Sequence, residues 1–141
     1  MRKRTRRPTS GITLIELMVV MVIIAMFAAV VGQRLFRNVD KAKQTVAKTQ
    51  IQEFESVLDL FRLDTGRYPT TEEGLQALQV RPSGLENWDG PYMKKDIPLD
   101  QWGRPFVYRS PGEHGDFDLL SYGGDGAAGG EGSNADIVNW K

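Results

Sequence analysis

The chain has 141 residues, with 18 basic and 18 acidic side chains, so its formal net charge is zero, and it has no cysteine. This length suffices for one small domain besides a membrane segment, and the lack of cysteine excludes a disulfide framework. Residues 1–11 hold five bases and no acid, which leaves 13 bases against 18 acids in residues 12–141. The bases beyond residue 31 are scattered, so we expect no nucleic-acid partner.

The apolar run from Ile12 to Val31 contains one charged residue, Glu16. A helix of this length spans roughly the 30 Å hydrocarbon core of a bilayer. The basic tail before it predicts that residues 1–11 stay cytoplasmic and that the acidic remainder crosses the membrane. A secretory signal peptide is the alternative, but the run is longer than a typical h-region and no A-x-A-like site clearly ends it. A carboxylate inside such a helix is by default a functional residue.

The stretch SGITLIEL, residues 10–17, resembles the signal of type IV pilins and pseudopilins. That resemblance implies a cut after Gly11 by a prepilin peptidase and N-methylation of Ile12, a position where the family usually has Phe. The freed amine lies four residues from Glu16, so the two can pair within one helix. We expect instead that Glu16 of one subunit reaches the Ile12 amine of its neighbour and sets the register of a filament. A Glu that reaches to interfacial water is the alternative.

One long helix is predicted from Ile12 to about Asp64, with Gly66 as its C-terminal cap. We assign residues 12–33 to the membrane or filament core and residues 34–141 to a periplasmic domain. After the apolar run, apolar residues recur at helical spacing, which predicts an amphipathic second half. The positions that carry this pattern are Val39, Ala42, Val46, Phe54, Leu58 and Phe61.

A short second helix is predicted over residues 71–79. Thr70 and Glu73 have the spacing of a capping box, in which each side chain bonds the other residue's backbone amide. Leu75 and Leu78 are expected to face the core of the domain.

The remaining segments predict a small β-sheet. Prolines and glycines between residues 81 and 99 indicate an extended loop, which we expect Trp88 and Tyr92 to fasten to the body of the domain. Residues 106–109 and 116–121 predict two strands of an antiparallel hairpin, and residues 136–140 can add a third. The fold class is therefore α+β: a long N-terminal α-helix packed on a small antiparallel sheet, with a short second helix.

Short motifs rich in glycine, proline and aromatic residues follow the long helix in a fixed order: GRYPT at 66–70, EGL at 73–75, WG at 102–103, PGEHG at 111–115, and DI and NW within 136–140. Together with the signal they resemble the major pseudopilins of the type II secretion system. The resemblance implies a non-enzymatic, single-pass inner-membrane subunit that polymerises into a periplasmic pseudopilus and drives export of folded proteins across the outer membrane. It implies as partners further copies of the chain, minor pseudopilins, the prepilin peptidase and the inner-membrane secretion platform.

The glycine-rich loop from Gly123 to Asp136 is acidic and rich in oxygen donors, and it contains no His or Cys, so its fitting guest is a hard cation. From the residues alone, a flexible solvated loop is the alternative. The resemblance implies one bound Ca²⁺, with Asp125 and Asp136 as acidic ligands. Oxygens of Leu120, Gly123 and Ser133 are implied as further ligands.

His114 is the single histidine of the chain, and no nucleophile or metal-binding motif accompanies it, so we expect a structural role. Two functional alternatives stay open at this point. One is a type IV pilin or a DNA-uptake pseudopilin. The other is a membrane-anchored, calcium-dependent enzyme or binding protein.

Overall fold

The computed structural model describes residues 11–141, except for the side chains of residues 33–37. The predicted leader, residues 1–11, therefore lies outside the described residues apart from Gly11. The chain divides into two compact units, Met1–Arg37 and Asn38–Lys141. The hydrophobic core described below belongs to the second unit.

Helix α1 runs over Leu14–Thr65 and contains 52 residues. It begins after Thr13, whose Oγ1 accepts a hydrogen bond from the backbone N of Glu16 at 3.3 Å, as an N-cap does. It ends at Gly66, which has a φ of 79° and donates its N–H to the carbonyl of Arg62 at 2.8 Å. The predicted cap is thus confirmed. The start lies two residues later than predicted because Thr13 caps the first turn.

The buried stripe of α1 supplies five of the thirteen buried residues of the core. Its members follow one another at steps of three or four, so they lie on one face of the helix. Phe54 meets Phe106 edge to face, with ring centroids 5.3 Å apart. The side chains of α1 in this stripe are at most 2% exposed: Ala47, Ile51, Phe54, Leu58 and Phe61.

Three short strands form an antiparallel sheet in the order β1-β2-β3. They are β1, Val107–Arg109; β2, Asp118–Ser121; and β3, Ile137–Val138. All four residues of the central strand β2 are buried. The three predicted strands are confirmed, with shorter bounds, and so is the predicted α+β fold class.

The chain beyond β3 continues to pair with β2 through Asn139. Its backbone N donates to the carbonyl of Leu119 at 3.1 Å, and its side-chain Oδ1 accepts from the N of Leu119 at 2.8 Å. Its Nδ2 also donates to the carbonyl of Phe117 at 3.3 Å. One amide side chain therefore satisfies the backbone of β2 where no strand partner remains.

The short helix predicted over residues 71–79 is a 3₁₀-helix with shorter bounds. The capping box is present: the N of Thr70 donates to Glu73 at 2.9 Å, and the N of Glu73 donates to Thr70 at 3.3 Å. Gly74 then takes φ 58° and ψ −165°, which no right-handed helix allows, so only a 3₁₀-helix follows over Leu75–Leu78. Leu75 and Leu78 are buried as predicted.

Residues 81–99 contain no helix or strand, as predicted. Trp88 fastens this loop, since its Nε1 donates to the carbonyl of Ala77 at 2.9 Å and its ring meets Tyr92 edge to face. The N of Tyr92 donates to the carbonyl of Leu78 at 2.8 Å. The loop is thereby held against the 3₁₀-helix.

Candidate functional sites in the N-terminal segment and the glycine-rich loop

The residues around the implied cut lie just before α1. Gly11, Ile12 and Thr13 are not helical, and all three are exposed. Because Thr13 caps the first turn, the peptide bond after Gly11 stands outside the helix, where its backbone carries no helical hydrogen bonds. This is an accessible geometry for a peptidase. The signal over residues 10–17 was visible in the sequence, but the role of Thr13 as the N-cap of α1 was not predicted.

The apolar part of α1 has no cover among the residues that the structure describes. Leu14–Gly32 is long and apolar enough to cross a membrane, with a mean hydropathy of 2.9 and 0% of its most apolar window buried. Glu16 is the one charge in this stretch. Among the described residues, the hydrogen bond outside the helix ladder that involves Glu16 is the one from its backbone to Thr13. Both the apolar surface and the carboxylate thus need partners from outside the described chain.

The two ends of the glycine-rich loop pass so close together that side chains would not fit. The N of Gly124 donates to the carbonyl of Ser133 at 3.0 Å. A Cβ on Gly123, where φ is 62°, would lie 2.6 Å from the carbonyl oxygen of Ala135, and one on Gly124 would lie 2.8 Å from Oδ1 of Asn134. Glycine is required at Gly123, where the clash is with backbone and φ is positive. At Gly124 a Cβ would also lie 3.0 Å from the carbonyl oxygen of Ser133, so the loop is closed at its neck by backbone contact.

One carboxylate oxygen of Asp136 indicates where the loop could bind a cation. Its Oδ2 accepts a hydrogen bond from the N of Gly129 at 2.8 Å, while its Oδ1 is buried and has no hydrogen-bond partner in the described ranges of the chain. A buried carboxylate oxygen without a partner is costly, so such an atom indicates a missing donor or cation. Carboxylate and carbonyl oxygens are the ligands that Ca²⁺ prefers, and Asp136 fits that guest.

The other implied ligands are arranged less uniformly. Asp125 is exposed, and its Oδ1 accepts from the N of Ala127 at 3.1 Å. Leu120 lies in β2, opposite Val138. The neck joins Gly124 to Ser133, and the carboxylates of Asp125 and Asp136 accept from different backbone amides, those of Ala127 and Gly129. The described residues contain no group of three or more acidic, His or Cys side chains that could hold a metal. Backbone oxygens would have to complete any ligand shell.

Two polar anchors of this loop were missed from the sequence. Gln44 of α1 donates its Nε2 to the carbonyl of Gly132. Arg104 donates from Nη1 to the carbonyl of Gly123 at 2.7 Å and from Nη2 to that of Gly124 at 3.1 Å. No local sequence pattern indicates either contact, because both join positions that are distant along the chain.

His114 lies in a structural linkage. Its Nδ1 is 3.0 Å from Oδ2 of Asp118, and its ring stacks on Trp140 with centroids 4.0 Å apart and an interplanar angle of 2°. Burial raises the pKa of Asp118, but hydrogen bonds from the His114 side chain and from the backbone of Glu113 and His114 outweigh it, and the net pKa is lowered. The linkage joins the 110–115 turn to the C-terminal segment.

Comparison with known proteins places these features in a family. Residues 34–140 match the family "Type II secretion system (T2SS), protein G", and residues 6–32 match the "Prokaryotic N-terminal methylation motif". The type II secretion system core protein G of Pseudomonas aeruginosa is 46% identical over 138 residues, which cover 96% of this chain and 97% of that protein. The Vibrio cholerae protein of the same name is 45% identical over 141 residues, 98% and 95% of the two chains.

A solved structure gives the same result for the fold. The major pseudopilin from the type 2 secretion system of enterohaemorrhagic Escherichia coli superposes with a TM-score of 0.64 at 40% identity. The match covers 75% of this chain and 93% of that one.

The methylation motif and the α+β fold define the class as pseudopilin. This chain belongs to the type II secretion system protein G family. As such it is a structural subunit of the pseudopilus, and the sequence-based prediction of family and function is confirmed.

Proposed function

We propose that the chain is cut after Gly11 by a prepilin peptidase, methylated at Ile12 and then added to a type II secretion pseudopilus. The N-terminal methylation motif over residues 6–32 supports this processing. The exposed, non-helical bond after Gly11 supports access by the peptidase. Intact-mass analysis of the purified chain should therefore give a start at methylated Ile12. A mature start near Gly32 would contradict the proposal and indicate an ordinary signal peptide.

The observation that carries the proposed assembly is the bare surface of residues 12–31, every one of which is exposed. So much apolar surface is not stable in water. Before assembly the lipid of the inner membrane covers it, with residues 38–141 in the periplasm. After assembly the same segments of neighbouring copies cover it instead. One surface then serves two environments in turn.

Glu16 supplies the specificity of this transfer. A charge at the centre of a membrane helix costs roughly 2.5–3.5 kcal/mol on insertion scales. Glu16 lies in the first turn of α1, near the end of the apolar stretch, so its cost is smaller, but a subunit still gains by leaving the lipid for a site that holds a countercharge. The methylated amine of Ile12 on an adjacent copy is such a countercharge. Because the pair forms only when two subunits meet at one axial offset, it selects the filament register.

Glu16→Gln tests this role. The variant keeps the shape of the side chain and should still insert in the membrane, but filament yield should fall about tenfold or more, because an ion pair buried in the filament is lost. Sheared filaments from overexpressing cells can be counted by electron microscopy and by sedimentation. Glu16→Asp is the matched control, since it keeps the charge and should assemble better than Glu16→Gln. Wild-type filament yield from Glu16→Gln would refute the register role.

Growth of the filament is proposed to move folded exoproteins through the outer membrane, with minor pseudopilins and the inner-membrane platform as further partners. The names of the relatives support the secretion system but not each contact. Deleting the gene should abolish exoprotein secretion and leave twitching motility and transformation unchanged. Loss of motility or DNA uptake with normal secretion would instead favour a type IV pilin or a DNA-uptake pseudopilin.

The loop over residues 123–136 is proposed to hold Ca²⁺ through Asp125 and Asp136, completed by oxygens from Leu120, Gly123 and Ser133. The support is the buried, unpartnered Oδ1 of Asp136. When bound, the ion supplies a divalent charge that joins the two ends of the loop and adds its binding free energy to folding. With no cysteine in the chain, the loop depends on such non-covalent ties.

Thermal unfolding of the mature chain in detergent micelles, with and without EGTA, tests the calcium site. EGTA should lower the melting temperature of the wild-type chain by several degrees, because a ligand that binds only the folded state stabilises it. Asp136→Asn removes the charge at constant shape and should abolish this response. Glu86→Gln, an exposed acid far from the loop in sequence, is the control and should keep the response. An equal response to EGTA in Asp136→Asn would remove Asp136 from the site.

A further inference from the structure

A cavity of about 420 Å³, the lysine cleft, lies between α1 and the edge strand β3. Three lysines that are scattered along the sequence line it together: Lys41, Lys48 and Lys141. Lys41 and Lys48 are seven positions apart on α1, so they lie on one face of the helix. All three residues are exposed, and none forms an ion pair in the part of the chain that the structure describes. The cleft therefore offers its ammonium groups to a ligand from outside.

The remaining walls of the cleft also suit an anion. Asp136 is the one acid among the lining residues, so their side chains carry a net charge of +2. Its Oδ2 accepts from the N of Gly129 and its Oδ1 is buried, so the exposed charges of the cleft are the ammonium groups. Gln44 fixes the rim between Lys41 and Lys48 by donating to the carbonyl of Gly132. Because β3 is an edge strand, one side of its backbone has no strand partner and can serve an oxygen anion.

Charge is divided unevenly along the chain that follows the apolar run. Residues 33–48 hold five bases and one acid, whereas residues 49–141 hold eight bases and 16 acids. The proposed cut after Gly11 removes the bases of residues 1–11, so residues 33–48 become the basic segment beside the apolar run. Bases on the periplasmic side are the reverse of the usual bias, so topology does not account for them. An anionic membrane surface attracts this segment and repels the acidic remainder.

We propose that the lysine cleft binds the phosphate of an anionic phospholipid in the periplasmic leaflet of the inner membrane and holds residues 38–141 there before assembly. This inference rests on the membrane stage of the proposed function. Nine residues lead from Gly32, where the apolar stretch ends, to Lys41, and they reach at most about 32 Å, so the cleft stays near the head groups. Lysine binds phosphate as a point charge, and each base close to an anionic surface strengthens binding about fivefold.

NMR titration of the mature, ¹⁵N-labelled chain in uncharged detergent micelles with short-chain phosphatidylglycerol tests the cleft. Amide signals of residues 41–48 and 135–141 should shift together and reach saturation. In the double variant Lys41→Gln/Lys48→Gln, the half-saturating concentration should rise about tenfold or more, because two charges that attract the phosphate are removed. Phosphatidylcholine of the same chain length, which has no net charge, and inorganic phosphate should each bind the wild-type chain at least tenfold more weakly.

Two further double variants separate local charge from total charge. Lys94→Gln/Lys95→Gln is the matched control, since it removes two exposed lysines of the loop over residues 81–99 and should bind phosphatidylglycerol as the wild type does. Lys41→Arg/Lys48→Arg keeps both charges and should also bind within about twofold of the wild type. Weak binding by the arginine variant would contradict a site that acts through charge.

Three other results would overturn the proposal. Equal half-saturation in the wild type and Lys41→Gln/Lys48→Gln would remove these lysines from the site. Inorganic phosphate or phosphatidylcholine that binds as tightly as phosphatidylglycerol would show that the cleft does not select an anionic lipid. Shifts at the same amides that depend on protein concentration without lipid would assign the cleft to an acidic face of a second copy.

Failure of the membrane stage itself has a different signature. The chain has no cysteine, so Glu86→Cys introduces a single thiol at an exposed position of residues 38–141. In intact spheroplasts this thiol should react with a membrane-impermeant maleimide. A thiol that reacts only after lysis would contradict the periplasmic placement, whatever the lipid titration shows.

Discussion

The two parts of α1 treat apolar side chains in opposite ways. From Leu14 to Gly32 the helix is apolar enough to cross a membrane, yet its most apolar window is not buried by any part of the chain that the structure describes. From Ala47 to Phe61 the apolar residues are fewer, and five of them are at most 2% exposed. Periodicity accounts for the contrast. A helix that is apolar on all faces has to be covered by its surroundings, whereas an amphipathic helix packs its apolar face against the domain of its own chain.

The carboxylates differ in the same way. Glu16 has no described side-chain partner, while Asp118 accepts three hydrogen bonds at 3.0 to 3.2 Å and has a side chain that is 3% exposed. One acid is satisfied within its own unit, whereas the other is proposed to pair with a neighbouring copy. Removing a group from residues 38–141 should therefore cost stability, whereas removing one from residues 12–32 should cost assembly.

The largest effect is expected for Leu58→Ala. Leu58 is fully buried, and its truncation leaves a cavity in a packed core, so the free energy of unfolding should fall by about 2–5 kcal/mol. Denaturation followed by tryptophan fluorescence reports on this directly, since all three tryptophans lie in residues 38–141. Leu17→Ala, at a side chain that is 57% exposed, is the matched control and should change the free energy of unfolding by less than about 0.5 kcal/mol. Equal losses of unfolding free energy in both variants would contradict the difference between the two parts of α1.

Asp118→Asn should be next, with a loss of about 2 kcal/mol at pH 7, because an amide nitrogen cannot accept the hydrogen bonds that a carboxylate oxygen accepts. The pKa of Asp118 is lowered in the folded state. Its contribution to stability is therefore complete above the unfolded pKa of about 3.9 and is lost as the pH falls through the folded pKa. In urea denaturation, the difference in free energy of unfolding between Asp118→Asn and the wild type should be smaller at pH 3 than at pH 7. Asp116→Asn, at an exposed neighbour, should cost little at either pH.

Glu73→Gln should have a smaller effect, about 1 kcal/mol, because it weakens the capping box and the ion pair with Arg67. The hydrogen bond from Arg67 lowers the pKa of Glu73 more than burial raises it. As for Asp118, a lowered pKa means that the contribution of Glu73 to stability is lost in acid. The unfolding free energy lost in Glu73→Gln should therefore shrink as the pH falls below about 4. Thermal unfolding across this range measures it, with the exposed Glu72→Gln as control. A loss that grows toward acid pH would show that the ion pair is not its source.

The smallest effect on folding is expected for Glu16→Gln. Unfolding of residues 38–141 should change by less than about 0.5 kcal/mol, because no described side chain contacts this carboxylate. Coupled with the expected loss of filaments, that result would assign Glu16 to assembly alone. A large change in unfolding would mean that the acid also serves the fold of its own chain.

Local chemistry explains which elements could be predicted from the sequence. The long helix, its Gly66 cap and the Thr70–Glu73 box depend on residues three or four apart, and all three are confirmed. The short helix predicted over residues 71–79 is present but covers only Leu75–Leu78, because Gly74 takes a positive φ that the apolar spacing of Leu75 and Leu78 does not reveal.

The candidate loop could be predicted only in outline. Its glycines and acids indicate an oxygen-rich turn, and Asp136 stands where a ligand was expected. Arg104 and Gln44 could not be found in this way, because each meets the loop through the tertiary fold, 19 and 88 positions along the chain from its partner. Whether the loop binds calcium stays a prediction.

The position of the last residues has a consequence for biosynthesis. Ile137 enters the core, Asn139 completes the bonds of β2, and Trp140 stacks on His114. These residues are synthesised after the strands and the helix that they contact, so the three-stranded sheet closes only once they have been made. A product truncated before Ile137 would leave β2 with an unpaired edge, and such an edge is open to aggregation and to proteolysis.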